Sequence, residues 1–226
     1  MDFTEVITTT RAIRRYRPEP IPEEDLSRIL FAASRAPSGS NSQPFRFVVL
    51  RDGPTATRAR ALLGETFRSM WVAKANEDRY GEGSGVDPDS PKGRMASAMQ
   101  YFVDHAEETP VFILACFRPR HGGHLVEGAS VFPACQNLLL AARELGYGGV
   151  MTTWHMPAAK QLAEIIGLPD DYLIPAVIPL GRPQGNHGPV RRRPLSELVF
   201  EDTWGQEAPW LTEPTGTLHS GRRPTN

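Results

Sequence analysis

The strongest constraint on the fold is a run of six apolar residues, Val111-Phe112-Ile113-Leu114-Ala115-Cys116. A strand that is apolar on both faces suits the centre of a sheet, where neither face meets water. Periodicity and turn signals predict further strands at 45–50 and 173–180, and a short strand within 148–154 that runs into a loop. They predict helices at 2–10, 22–36, 55–71, 95–105, 127–145 and 157–166, the fifth helix being the longest. Helices and strands that mix in this way predict an α+β layered domain.

The length of the chain predicts one main domain. A chain of 226 residues can bury one sizeable core of its own. We expect that domain over residues 1–200, followed by a C-terminal extension over 201–226. Residues 74–93 are hydrophilic and rich in glycine, which predicts a lid or mobile excursion within the domain.

Charge and composition exclude several classes of function. With 25 basic and 26 acidic residues, the net charge is -1, which argues against a surface committed as a whole to nucleic acid or anionic membrane. Cys116 and Cys135 lack the short spacing of a zinc site or redox pair, and the histidines show no ligand spacing, so no metal site is expected. The acidic N-terminus and the lack of an apolar run of ~20 residues lead us to expect a cytoplasmic protein.

Two arginine clusters are the main chemical signal. Four arginines lie within residues 11–17, and a second cluster spans residues 191–193. The first cluster alone fits a solvated face, a nucleic-acid patch or an anion clamp. The second cluster favours a clamp for phosphate, because guanidinium groups make strong charged hydrogen bonds to it. No dinucleotide fingerprint, P-loop or nucleophile elbow occurs in the chain, so we expect an enzyme whose cofactor supplies the chemistry.

Several motifs in a fixed order resemble the FMN-dependent nitroreductase family. They are Thr10-Arg11-Ala12-Ile13-Arg14-Arg15-Tyr16, the loop Pro37-Ser38-Gly39-Ser40-Asn41-Ser42-Gln43-Pro44, Leu145-Gly146-Tyr147-Gly148, Leu180-Gly181-Arg182-Pro183 and Arg193-Pro194-Leu195. The resemblance extends from Phe3 to about Val199. It implies a three-layer fold with a central, mainly antiparallel sheet flanked by helices, and an intertwined homodimer with FMN at the subunit interface.

The resemblance also implies roles for individual residues. The FMN phosphate would be held at Arg11, Ala12, Arg14, Arg191 and Arg193, although the family often has serine where this chain has Ala12. The partner subunit would supply Pro37, Ser38, Gly39, Asn41 and Ser130 to the ribityl chain and ring. The other side of the ring would meet Met151, Thr152, Thr153 and Trp154, where some family members carry Pro-x-Glu-Gly. A backbone N–H of this segment would reach the flavin N5.

The implied activity is reduction of a nitroaromatic, a quinone or a related small acceptor by NAD(P)H through FMN, with ping-pong kinetics. No side chain is assigned as a catalytic acid, and Thr152 and Thr153 are expected near the ring. A reductive dehalogenase or a flavin-consuming enzyme on the same fold is an alternative. A non-enzymatic module that binds nucleic acid through the arginine clusters is a further alternative.

Overall fold

The protein is built around a four-stranded antiparallel sheet. The computed structural model describes residues 1–120, 125–186 and 188–220. The strands are β1 (Phe45–Leu50), β2 (Val111–Phe117), β3 (Gly148–Gly149) and β4 (Leu173–Gly181), in the spatial order β1-β2-β4-β3. Every pairing is antiparallel. The predicted α+β class with an antiparallel sheet is therefore confirmed.

Within the described residues, six α-helices accompany the sheet: α1 (Phe3–Thr9), α2 (Glu23–Ser34), α3 (Pro54–Glu77), α4 (Pro91–Asp104), α5 (Phe132–Glu144) and α6 (Ala159–Ile166). Short 3-10 turns lie between them. The helices α1, α2 and α6 agree with the predicted ones to within about two residues. None of the helices in the described part of the chain is long and apolar enough to cross a membrane.

The side chains of β2 divide the core into two parts and so establish three layers. Val111, Ile113, Ala115 and Phe117 pack in one cluster with α2 and α5. The alternate residues Phe112, Leu114 and Cys116 pack in the other cluster with α3 and α4. Successive side chains of a strand point to opposite faces, and all seven residues of β2 are buried. The predicted central strand is confirmed.

Two predicted helices have different bounds in the structure. The longest helix is α3, with 24 residues, and the predicted helix 127–145 is a 3-10 turn (Leu125–Ser130) followed by α5. Val131 interrupts it with φ -121° and ψ -41°, and Pro133 then lies in the first turn of α5, where its missing N–H costs nothing. The predicted left-handed residue after this helix is confirmed, since Gly146 has φ +82°.

Both ends of the hydrophilic segment 74–93 belong to helices, so the connection between these helices is shorter than the composition indicates. Helix α3 continues to Glu77, and α4 begins at Pro91, so only residues 78–90 join them. The Ser90 side chain accepts a hydrogen bond from the Gly93 N–H at 2.8 Å, which caps α4 four residues earlier than predicted. Polar composition concealed these helix ends, because each helix is buried on one face only.

The short strand predicted within residues 148–154, which runs into a loop, is confirmed. Only Gly148 and Gly149 pair continuously with β4, and beyond them Thr152 makes a single bridge to Val177. Thr152 and Val177 exchange both backbone hydrogen bonds at 2.9 Å. Since alternate residues face the same neighbour, Pro175 and Pro179 also face this side of β4. Neither proline has an N–H to donate, so the pairing stops on both sides of Val177.

Arg60 joins the ends of β1 and β2. Its guanidinium donates to the backbone carbonyls of Leu50 and Arg51 at the end of β1. It also donates to the carbonyls of Glu107, Thr109 and Pro110, just before β2. The distances are 2.6 Å to Arg51 and 2.9 Å to Pro110. Burial lowers the pKa of Arg60, while the charge of Asp52 opposes that shift. One side chain thus satisfies carbonyl groups that the sheet leaves without partners.

We expect Arg60→Ala to lower the free energy of unfolding by roughly 2–3 kcal/mol, because it removes several charged hydrogen bonds and leaves part-buried carbonyls unpaired. Urea denaturation measures the change. Arg58→Ala is the matched control, since Arg58 lies on the same helix and is exposed. Equal losses in the two variants would contradict this role of Arg60.

Candidate functional site

A cavity with aromatic walls lies between the segment after β3 and the helices α3 and α4. Its volume is about 450 Å³. Five of its thirteen lining residues are aromatic, two are cationic and none is acidic. The lining consists of Arg14, Trp71, Lys74, Tyr80, Met95, Met99, Phe102, Phe132, Val150, Met151, Thr152, Thr153 and Trp154. The cavity suits a planar ligand that carries negative charge.

The predicted ring-facing segment, residues 151–154, forms one wall of this cavity. The single bridge between Thr152 and Val177 fixes its distance from β4. Because alternate residues of an edge segment face opposite ways, the backbone N–H groups of Met151 and Thr153 point away from β4. Neither N–H has an acceptor among the described residues. The wall therefore offers free backbone donors to a ligand.

His155 anchors the end of this segment on the sheet. Its ring is completely buried, and Nε2 lies 2.6 Å from the carbonyl oxygen of Ile174 in β4. Burial lowers the pKa of His155, against the smaller effect of that hydrogen bond, so the neutral ring is favoured and Nε2 carries the donated proton. Nδ1 is buried and has no partner within the described part of the chain. Sequence analysis assigned no role to this histidine.

Arg14 brings an unpaired positive charge to the same cavity. The preceding residue, Ile13, is buried and donates its N–H to the carbonyl of Gly149 at 3.0 Å, which sets Arg14 beside the ring-facing segment. Burial lowers the pKa of Arg14, although an arginine still stays charged. Its guanidinium has no hydrogen bond or ion pair with any described residue. A partly desolvated cation of this kind is stabilised by an anionic ligand.

The other predicted phosphate-binding positions lie outside the cavity. Arg11, Ala12, Arg191 and Arg193 are exposed, and none of them lines it. The Val190 N–H donates to the carbonyl of Thr8 at 2.8 Å, so the C-terminal arginine cluster begins beside the end of α1. The two arginine clusters are far apart in the sequence, and the fold brings their ends close together in space. Arg14 lines the cavity, whereas Arg11, Arg191 and Arg193 do not.

The loop from Pro37 to Pro44 is held in an unusual backbone conformation. Ser40, Asn41 and Gln43 have φ values of 52°, 51° and 45°, in the left-handed region that non-glycine residues rarely adopt. The Ser38 hydroxyl accepts a hydrogen bond from the Gln43 N–H at 2.9 Å and stabilises this shape. Such strain is characteristic of functional loops.

The structure joins this loop to the other position expected to act on the partner's flavin. The Gly39 N–H donates to the hydroxyl of Ser130 at 3.1 Å. Pro37, Ser38, Gly39, Asn41 and Ser130 do not line the cavity of their own chain. The loop precedes β1, whereas the ring-facing segment follows β3, and these strands are the opposite edges of the sheet.

Sequence analysis missed the wall that α3 and α4 contribute. Trp71 is buried, its ring lies 5.2 Å from that of Tyr80, and its indole N–H donates to Gln100 at 2.8 Å. Met99 and Phe102 of α4 complete the apolar part of this wall. The signal for this wall in the sequence was the pair of aromatic residues, Trp71 and Phe102, on either side of the hydrophilic segment 74–93.

No cluster of metal-ligating side chains occurs among the described residues, and His121, His124 and His187 lie outside them. The cavity therefore has the features of an organic cofactor site: a free guanidinium, free backbone donors and aromatic walls.

Comparison with known proteins identifies the family of the chain. An NADH dehydrogenase from Thermus thermophilus is 32% identical over 84% of this chain and 91% of its own. An iodotyrosine deiodinase from Thermotoga neapolitana is 27% identical over 84% and 91%. A solved structure from Desulfovibrio desulfuricans, described as a nitroreductase in complex with FMN, has a TM-score of 0.62 and 28% identity, covering 89% of this chain and 96% of its own. The model of the Nitroreductase family matches residues 7–182, and the chain belongs to that family.

Proposed function

We propose that the protein binds FMN and reduces small organic acceptors with NADH or NADPH. The observation that carries the proposal is the guanidinium of Arg14, unpaired among the described residues, beside a wall of the aromatic cavity whose backbone N–H groups have no acceptor there. FMN combines negative charge with a planar ring and matches both features. The related protein that was solved in complex with FMN supports the same choice.

In this proposal the residues of the chain bind and orient, and bound FMN supplies the redox chemistry. Arg11, Arg191 and Arg193 hold the phosphate from the surface beside α1. Arg14 holds positive charge next to the ring-facing segment and stabilises negative charge on the cofactor. Met151 and Thr153 direct backbone N–H groups into the cavity, and Trp154 closes one side of it. The apolar wall from α3 and α4 excludes water from the space where donor and acceptor bind.

The arrangement of the predicted ring contacts favours a homodimer. The loop with Ser38, Gly39 and Asn41 does not reach the cavity of its own chain, although the resemblance assigns it to the flavin. A second copy related by two-fold symmetry would present the same loop to this cavity. Each dimer would then contain two equivalent sites.

Reductive dehalogenation is the second candidate, because the relatives include iodotyrosine deiodinases. It uses the same cofactor site and differs in the acceptor alone. A cytoplasmic location remains our expectation, and the two buried, unpaired cysteines are consistent with a reducing compartment. A nucleic-acid module is disfavoured, because Arg14 lines an aromatic cavity rather than an exposed basic surface.

We expect the purified protein to release FMN on heating, identified by chromatography. With one cavity for donor and acceptor, steady-state rates with NADH and a nitroaromatic or quinone should give parallel double-reciprocal lines. Recovery of FAD, or no flavin after reconstitution, would refute the proposed cofactor. Intersecting lines would require a second nucleotide site.

Arg14→Ala should weaken FMN binding by roughly tenfold or more, since a charged hydrogen bond contributes about 1.5–3 kcal/mol. Fluorescence titration of the apoprotein with FMN measures the dissociation constant. Arg17→Ala is the control, because Arg17 is exposed and does not line the cavity. Equal effects at the two positions would indicate a diffuse basic surface.

Supply of the loop by the partner can be tested by mixing two defective variants. Arg14→Ala damages the cavity, and Asn41→Asp damages the loop. If the loop acts on the partner's site, unfolding and refolding an equal mixture should restore about a quarter of the sites, because each mixed dimer contains one intact site. If the loop acts on its own chain, no site is restored, and the dimer proposal fails.

A further inference from the structure

Lys74 is the one lining cation that the proposed function leaves without a role. The cavity has two cationic lining residues, Arg14 and Lys74, and no acidic one. Arg14 belongs to the ring-facing side and is taken up by the cofactor in the proposal above. Lys74 lies in the last turn of α3, on the wall made by α3 and α4.

The charge of Lys74 is available to a ligand. Its Nζ lies 2.8 Å from Asp78 Oδ2, in an i,i+4 pair whose side chains are 46% and 38% exposed. Exposed pairs of this kind are weak, so the amine can exchange this partner for another anion. Asp78 itself does not line the cavity, and its hydrogen bond raises the pKa of Lys74. The lysine is therefore protonated wherever the enzyme works near neutral pH.

The surface beside Lys74 suits an aromatic ring. Trp71, three residues earlier on α3, and Tyr80 are in contact at a ring separation of 5.2 Å. Met95 and Met99 of α4 continue this apolar surface with flexible side chains that adapt to flat ligands. A ligand that stacks here would place a polar substituent within the field of the lysine.

We propose that the preferred acceptor is an aromatic molecule with a negatively charged substituent, and that Lys74 recognises that substituent. The inference rests on the proposed function, because the acceptor must reach the same cavity as the cofactor. Lys74 is then a specificity-determining residue: it favours anionic acceptors over neutral ones of equal shape and takes no part in electron transfer.

The test compares 4-nitrobenzoate with the neutral 4-nitrobenzamide, using FMN-loaded enzyme and saturating NADH. The wild-type enzyme should have the higher kcat/KM for the anion. Lys74→Gln should lower the ratio of the two kcat/KM values about threefold to fivefold, mainly through KM for the anion. Asp78→Asn should raise the ratio, because it frees the lysine. Lys74→Arg should retain the preference, and 0.5 M salt should reduce it.

Lys92→Gln is the matched control. Lys92 lies in α4, with its Nζ 5.5 Å from the centre of the Tyr80 ring, but it does not line the cavity. Its variant should leave the ratio unchanged.

A ratio of the two kcat/KM values that Lys74→Gln does not alter would overturn the inference. Turnover of the amide by every variant shows that the proposed function holds in that case. Absence of turnover with both acceptors and with quinones would instead refute the proposed function, and the inference with it.

Discussion

Burial of β2 on both faces is the constraint on which the rest of the structure depends. The strand is hydrogen-bonded to β1 on one side and to β4 on the other, so it has no free edge. Its alternating side chains require one helical layer on each face, which α2 with α5 and α3 with α4 provide. Arg60 then closes the end of this arrangement by satisfying carbonyls at the ends of β1 and β2. The helices that wall the cavity are thereby fixed relative to the sheet.

The cavity exists because the far edge of the sheet is incomplete. Pro175 and Pro179 deprive β4 of two donors, and among the described residues the segment after β3 pairs with the backbone of that strand only at Thr152. A strand that paired with β4 along its whole length would simply continue the sheet as a regular edge strand. Instead the segment turns after Thr153, His155 ties its end to Ile174, and the side chains of 151–154 meet the wall from α3 and α4.

Charge is distributed unevenly around this site. The chain is nearly neutral as a whole, yet the lining of the cavity contains cations and no acidic side chain. Asp78, which pairs with Lys74, lies outside the cavity lining. A local excess of positive charge in a partly desolvated space attracts anions far more strongly than the net charge of the protein indicates. It is consistent both with a phosphate-bearing cofactor and with an acidic acceptor.

Patterns that depend on neighbouring residues were determined by the sequence alone. The strand Phe45–Leu50, the buried strand β2, the helix α2 and the glycine that follows α5 are all encoded by local periodicity and turn chemistry. The motif resemblance that led to the family likewise comes from short segments. The starts of α4 and α5 and the end of α3 were less accurate: Ser90 caps α4 earlier than predicted, Val131 interrupts the predicted helix 127–145, and polar composition concealed the end of α3. The tertiary structure alone decided the length of β3, which prolines about 30 residues away limit, and the placement of Arg14 apart from Arg11. The tertiary structure also brought Lys74 and Trp71 into one cavity with Thr153. No local sequence pattern predicts this, because the residues of a cavity wall come from distant parts of the chain.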